Sequence, residues 1–264
     1  MQLWATQMNS LETLLDQVRS LNQDQIECVE RIVEAFRLPV EIEWDPGSDF
    51  ATEQFASGFA DLLRVHHFFS EQAFTKDKFE YGMVRVLARC GRDAKKAATG
   101  KPGEDLFVDG IPWSLKTQAD KGIKRSEIYI SKFMELGKGD WANEADLVGL
   151  RQRMFHHMQA YERIFSLRCI SASSQHAHRY EYELVEIPKN LLQESANHPV
   201  RMMQESRQTP KPGYCTVVDA TGSIKFELYF DGGTERKLQI KRIQKDHCVV
   251  HASWAFSLAP TLLG

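Results

Sequence analysis

Gly103-Glu104-Asp105-Leu106-Phe107-Val108-Asp109-Gly110-Ile111-Pro112-Trp113-Ser114-Leu115-Lys116-Thr117 reads as a β-hairpin. An Asp-Gly pair flanked by alternating apolar residues is the strongest short hairpin signal. A two-residue turn at Asp109-Gly110 fixes the register. Val108 faces Ile111, Phe107 faces Pro112, Leu106 faces Trp113 and Asp105 faces Ser114. Side chains alternate between the faces of a strand. Leu106, Val108, Ile111, Trp113 and Leu115 therefore share a core face, and Asp105, Ser114 and Lys116 share the other. Asp105 and Lys116 become diagonal neighbours, roughly 7–8 Å apart. A carboxylate and a lysine on adjacent short strands is a layout that suits metal-dependent phosphodiester hydrolysis. One polar face on a hairpin is also ordinary architecture, so the pair needs support from the rest of the chain.

The chain has 264 residues, enough for one large domain or two small ones, and 42% are apolar, enough for a sizeable core. No apolar run approaches the roughly 20 residues of a membrane span. Met1 to Ser10 lacks the basic start and apolar stretch of a signal peptide. Five cysteines (28, 90, 169, 215 and 248) stand scattered without a CxxC pair, which fits reduced thiols in the cytoplasm and excludes a zinc ribbon or a disulfide framework. The net charge of −3 argues against non-specific nucleic-acid binding and leaves room for a locally basic cleft.

Helical periodicity covers residues 10–37, divided near Asn22 to Asp24. Residues 38–50 read as loop or short strand, and 51–69 as a helix with Phe55, Phe59, Leu62 and Leu63 inward. Thr75 is placed to cap a helix running to about Cys90. Lys95 to Gly103 reads as a basic loop, and 118–127 is polar and basic. A helix is predicted over 144–163, then strands at 164–170 and 180–187, with Pro188 opening a short helix. Strands at 214–218, 224–230, 237–243 and 248–256 close the chain. The pattern predicts an α/β or mixed α+β layer architecture in a single domain over 1–264. Within it fall a helical N-terminal part (1–70), a catalytic core (75–195) and terminal antiparallel strands (210–258).

Phosphodiester hydrolysis needs an activated water, neutralised phosphate charge and a stabilised leaving oxygen. A divalent metal on carboxylates supplies much of this. Asp105 is the expected ligand, the Leu115 backbone carbonyl a second, and Lys116 the group that orients water and offsets charge. Hard oxygen donors suit Mg2+. Ser114 occupies the place where an acid is usual in such motifs, so another carboxylate must come from elsewhere. Glu80 is the first choice, beside Phe79 on the border of the Phe79/Met83/Leu87 stripe. Glu104 falls on the apolar face and ranks lower; Glu127 is third. His66-His67 and His156-His157 are adjacent residues on different sides of a helix and make poor metal pairs. His176 and His178 lie in a polar stretch with no evident chemistry. No Gly-rich phosphate loop precedes a helix, which argues against an ATPase.

With the motif placed, residues 105–141, DLFVDGIPWSLKTQADKGIKRSEIYISKFMELGKGDW, resemble the SmaI-type restriction endonucleases of the PD-(D/E)XK superfamily. The likeness continues in order through Val65-His66-His67-Phe68, Thr75-Lys76 with Phe79-Glu80, MQAYERIFSLR (158–168), YELVEIPKNLLQES (182–195), KPGYC (211–215) and YFDGGTERKLQIK (229–241). It spans roughly residues 60–256 and fades over the first fifty. The resemblance implies a restriction-endonuclease-like core, with a central mixed sheet flanked by helices. It implies a Mg2+-dependent enzyme cutting both strands of a short GC-rich palindrome, CCCGGG-like, as a homodimer. It places Asp105 and Lys116 as the catalytic pair and Glu80 at the matching helical acid, with position 114 non-acidic in the relative too. A cognate DNA methyltransferase is expected in the same system, without physical complex.

A sequence-specific nuclease also needs phosphate clamps and base readers. Gln118, Lys121, Lys124 and Arg125 follow the motif; Arg236, Lys237, Lys241 and Arg242 lie in the terminal strands, with Lys237, Gln239 and Lys241 alternating on one face. Lysine or arginine on guanine is the commonest specific contact. The competing readings are a repair or structure-selective nickase on the same core, and a DNA-binding regulator without cleavage.

Overall fold

The hairpin forms with the expected register: Leu106 opposes Trp113, Phe107 opposes Pro112 and Val108 opposes Ile111. In this computed structural model, which describes residues 2–98, 103–120, 122–170 and 179–258, with side chains from residue 11 onward, Asp109 and Gly110 both take positive φ (50° and 80°). That pair of values is what a type I′ turn demands, and it is why Asp-Gly stands there. The two strands are β3 (Leu106–Val108) and β4 (Ile111–Gln118), numbered along the chain. Leu106, Val108, Trp113 and Leu115 are buried. Ile111 departs from expectation and is exposed. Beyond β3, the neighbour of β4 is β6 (Arg163–Cys169), whose pairing begins only at Trp113, so Ile111 extends past the supported part of the sheet.

That sheet has seven strands, in the order β1-β12-β7-β6-β4-β3-β2. Its other members are β1 (Val40–Trp44), β2 (Ala94–Lys96), β7 (Arg179–Glu186) and β12 (Val249–Ser257). The β4–β6 pair is parallel and the remaining pairs are antiparallel, so the sheet is mixed. β2 arises inside the stretch expected to be loop, pairing Lys96 with Leu106. A second, five-stranded antiparallel sheet runs β5-β11-β10-β9-β8. It is built from β5 (Glu127–Glu135), β8 (Arg201–Met202), β9 (Gly213–Val218), β10 (Ile224–Asp231) and β11 (Lys237–Gln244). β5 and β8 were not anticipated from sequence.

Helices α1 (Gln2–Arg19) and α2 (Gln23–Arg37) divide where expected, with Asn22 forming a capping box with Gln25. α3 (Glu53–Phe69) starts at Thr52, whose hydroxyl accepts from the Phe55 N–H at 3.3 Å. α4 (Lys76–Arg89) follows Thr75, which takes the capping position without a side-chain bond. α5 (Glu144–His157) ends earlier than predicted, and a short turn at 158–160 leads into β6. α6 (Lys189–Gln193) follows Pro188. The fold is thus mixed α+β, with six α-helices among the described residues. None of them is long and apolar enough to cross a membrane. None of the five cysteines forms a disulfide.

Two apolar clusters lie on opposite faces of the large sheet. Phe55, Phe59 and Leu63 of α3 and Phe79, Met83, Val86 and Leu87 of α4 meet Trp113, Leu115, Phe165, Leu184 and Trp254 of the sheet. On the other face, Ile164, Val185 and Ile187 join the inner side of the second sheet, including Ile128, Phe226, Leu228 and Ile240. Each such buried side chain contributes about 1.5–3 kcal/mol. Both faces of β6 are covered, which is why Ile164 to Cys169 is buried without alternation. The hairpin's apolar side chains Leu106, Val108, Trp113 and Leu115 pack into the first cluster.

Candidate active site

α4 carries Lys76 and Glu80 one helical turn apart, the spacing that puts two side chains on one face. Phe79, beside Glu80, is drawn into the core, which holds the helix against the hairpin and turns Glu80 toward Asp105. Lys76 Nζ stands 2.5 Å from Asp105 Oδ1 and 3.4 Å from Glu80 Oε1. Lys96 of β2 reaches Glu80 Oε2 at 2.7 Å. The other Asp105 oxygen, Oδ2, accepts from the Leu115 N–H at 2.5 Å and the Ser114 hydroxyl at 3.3 Å. Glu80 and Ser114 are both buried. The hairpin and α4 therefore bring Asp105, Ser114, Leu115 and Glu80 into one cluster, and Lys116 faces the same cleft.

Lys116 lies 5.8 Å from the Phe133 ring centroid. Burial pushes its pKa down to about 8, with the Lys76 charge acting in the same direction and Asp105 and Glu80 opposing. Lys76 is raised: burial works against its charge, but contact with Asp105 and Glu80 outweighs it.

Two further side chains border the cluster. His157, at the end of α5, has its Nε2 enclosed without a hydrogen-bond partner among the described residues, as has the Tyr161 hydroxyl. Burial and the neighbouring Lys116 charge lower the His157 pKa to about 4, so the ring is neutral. Burial and Asp105 raise that of Tyr161. Gly103 packs on both rings: at φ 103° a Cβ there would sit 3.1 Å from His157 and 3.2 Å from Tyr161. Sequence spacing considered His157 only with His156 and so missed its place beside Lys116. Lys76 was visible in principle, four residues before Glu80.

The donor set can be tested against a divalent ion. Among the described residues no three His, Cys, Asp or Glu side chains converge as a metal cage. Asp105 and Glu80 supply two carboxylates to one point, and the ammonium of Lys76 lies between them, the place a cation favours. Two carboxylates, a backbone oxygen and water suit Mg2+, which keeps part of its hydration shell. Glu104 is half-buried, with Oε2 enclosed and unpartnered among the described residues. Glu127 pairs with Lys124 at 3.2 Å instead. The histidines near α3 are structural: His67 is buried against Tyr182, with Nε2 2.6 Å from its hydroxyl, and His66 Nε2 meets the Gln72 carbonyl at 2.8 Å.

The expected DNA contacts are dispersed. Gln118 is buried, its Oε1 taken by Arg168 Nε at 3.1 Å and by the Tyr129 N–H at 3.3 Å. Lys121 lies outside the described residues, as do His176 and His178. Lys124 is exposed, and Arg125 pairs with Glu181. Arg236 is tied to the Lys138 and Gly139 carbonyls and to Asp140 at 2.7 Å. Lys237 pairs with Glu235 at 3.0 Å. Lys241 sits 3.5 Å over the Tyr229 ring and 3.2 Å from the Tyr214 hydroxyl. Arg242 projects outward at φ 54° and lies 3.7 Å from Glu227.

A helix-borne acid, a hairpin aspartate and a lysine beside it on a mixed sheet fit the layout expected of a metal-dependent nuclease, and comparison with known proteins narrows the class. Residues 14–256 match the family model described as SmaI: Type II site-specific deoxyribonuclease. Over 213 residues the chain is 45% identical to the Type II restriction enzyme SmaI of Serratia marcescens, covering 80% of this chain and 83% of that protein. The chain belongs to the SmaI family of type II site-specific deoxyribonucleases. The likeness reaches closer to the N-terminus than sequence reading alone suggested. No solved structure matches.

Proposed function

We propose that this restriction endonuclease is a single-domain, cytoplasmic enzyme that works as a homodimer. Mg2+, held by Asp105, Glu80 and the Leu115 carbonyl, would serve the cleavage of both strands of a short GC-rich palindrome resembling CCCGGG. The observation that carries the site is the convergence of Glu80 and Asp105 beside Lys116. In an extended strand a residue's N–H and C=O point to the same edge. The Leu115 N–H donates to Asp105, so its carbonyl belongs on the Asp105 side. When bound, the ion supplies a nucleophile near neutral pH and offsets phosphate charge.

The chain's own groups do the rest. Leu115 N–H and Ser114 Oγ hold the Asp105 carboxylate in place. Lys116, anchored in the sheet by its buried neighbours Leu115 and Ser114, orients the attacking water and donates to a phosphate oxygen. Lys124, Arg125, Lys237 and Lys241, with Lys121 and Arg236, remain the proposed contacts to DNA; several are already paired with acids and must exchange partners to reach phosphate. Leu11, Leu14, Leu15, Val33 and Phe36 are large apolar residues left exposed on α1 and α2. An exposed apolar face of this kind supports a second copy there, and one site per chain needs two copies to cut two strands. A cognate methyltransferase would act separately on the same DNA.

Plasmid digestion tests this proposal. With Mg2+ the protein should convert circles to discrete linear fragments. Asp105→Asn and Lys116→Ala should lower the rate by about three orders of magnitude or more while retaining DNA binding in a gel-shift assay. Full activity of Asp105→Asn would sink the site assignment; accumulation of open circles would favour a nickase.

A further inference from the structure

We propose that Lys76 is a built-in cation that occupies the metal position of the DNA-free enzyme and must be displaced when a divalent ion loads. The inference rests on the site proposed above. Lys76 Nζ lies 2.5 Å from Asp105 Oδ1 and 3.4 Å from Glu80 Oε1, so it contacts both carboxylates assigned to the metal. Two carboxylates facing one another repel, and a cation between them removes that cost. Lys96 takes the far oxygen of Glu80 at 2.7 Å, and Leu115 N–H and Ser114 take the far oxygen of Asp105. The inner oxygens are left for Lys76. An ammonium and a divalent ion cannot share that place, so each weakens the other's hold on the pair.

Lys76 also has somewhere to go. Its side chain is 43% exposed and lines the same cleft as Lys116, where a DNA phosphate would lie in the proposed complex. Released from the acids, the ammonium swings on its four-carbon stem into the cleft and meets the phosphate. The residue is thus a placeholder for the ion and a loading gate.

Mg2+ titrated calorimetrically into the full-length, DNA-free protein tests this, because the readout is affinity rather than cleavage. Lys76→Met and Lys76→Gln should bind Mg2+ roughly tenfold more tightly than the unaltered protein, or better. Wild-type or weaker affinity in both variants overturns the proposal. Asp105→Asn should abolish binding in either background; if it does not, the site itself is misassigned. A second measurement uses the unaltered protein. Reductive methylation followed by mass spectrometry should find Lys76 more reactive once Mg2+ is added, with Lys132, paired to Glu135 and Glu235, unchanged as control. Unchanged or reduced labelling of Lys76 would also overturn the proposal.

Discussion

Arg168 is buried completely beneath the segment that links β4 to β5. Its guanidinium donates to the Lys124 carbonyl at 2.7 Å, the Glu127 carbonyl at 2.8 Å and Gln118 Oε1 at 3.1 Å, and pairs with Glu183 at 2.7 Å. The planar fork of an arginine presents five N–H donors in a fixed plane, against three on a lysine's rotating ammonium. Arg168→Met should therefore cost about 3 kcal/mol in urea denaturation, the low end for breaking a buried pair. Lys245 still reaches Glu183 at 3.0 Å, which spares the acid from isolation. A loss below about 0.5 kcal/mol would show that the network carries no weight. Arg168 was not legible in sequence. It sits in an apolar run, and its partners come from three separate stretches of chain. Asp105 and Lys116 were legible because one local turn fixes both. Glu80 could be guessed from its place beside a core phenylalanine, but the lysines that hold it could not.

At the level of elements, Glu186 binds three neighbouring strands of the large sheet. It lies on β7, accepts from Arg163 of β6 at 2.6 and 2.8 Å, and meets His251 of β12 at 2.8 Å. Burial works to raise its pKa, yet Arg163 and His251 outweigh that and hold it down to about 2, from an ordinary 4.5. The folded form is therefore the weaker proton binder. The stabilisation is complete above about pH 4.5 and disappears as pH falls through about 2, a loss of about 3 kcal/mol. Guanidinium melts of the unaltered protein and Glu186→Gln between about pH 6 and pH 2 should converge toward the acid end; parallel curves would refute the linkage. Local signals also explain which elements sequence could predict. Helix caps and alternating strands at the chain's end were readable. β5 was not: its partner β11 lies far along the chain, and register shifts in that pairing break the alternation of Glu127 to Glu135. β2 is only three residues long and exists because β3 is there to pair with it.

At the scale of the molecule, the net charge of −3 is spread so that lysines gather around two acids in the cleft. The proposed pairing of two copies through α1 and α2 is testable there. Leu15→Glu with Phe36→Glu should halve the sedimenting mass and turn double-strand cuts into nicks. A variant that stays dimeric, with linear products intact, would move the interface elsewhere. Neither helix end nor apolar stripe could tell from sequence whether this face packs inward; only the finished arrangement leaves it bare. Gly232 makes the opposite point, since a Cβ there would lie 1.8 Å from the Pro210 carbonyl and the turn after β10 tolerates no other residue.

The pairing of β1 with β12 joins Val40 to Phe256, so the large sheet closes only when the end of the chain meets its beginning. Trp254 Nε1 then donates to the Ala56 carbonyl at 2.8 Å and locks β12 against α3. A ribosome-bound fragment that already carries the hairpin, α4 and both acids still lacks the strand that braces β7 and β1. Non-local pairing of this kind slows folding. β12 thus bridges β1 and β7, so the sheet that carries the hairpin is completed by strands more than 200 residues apart in sequence.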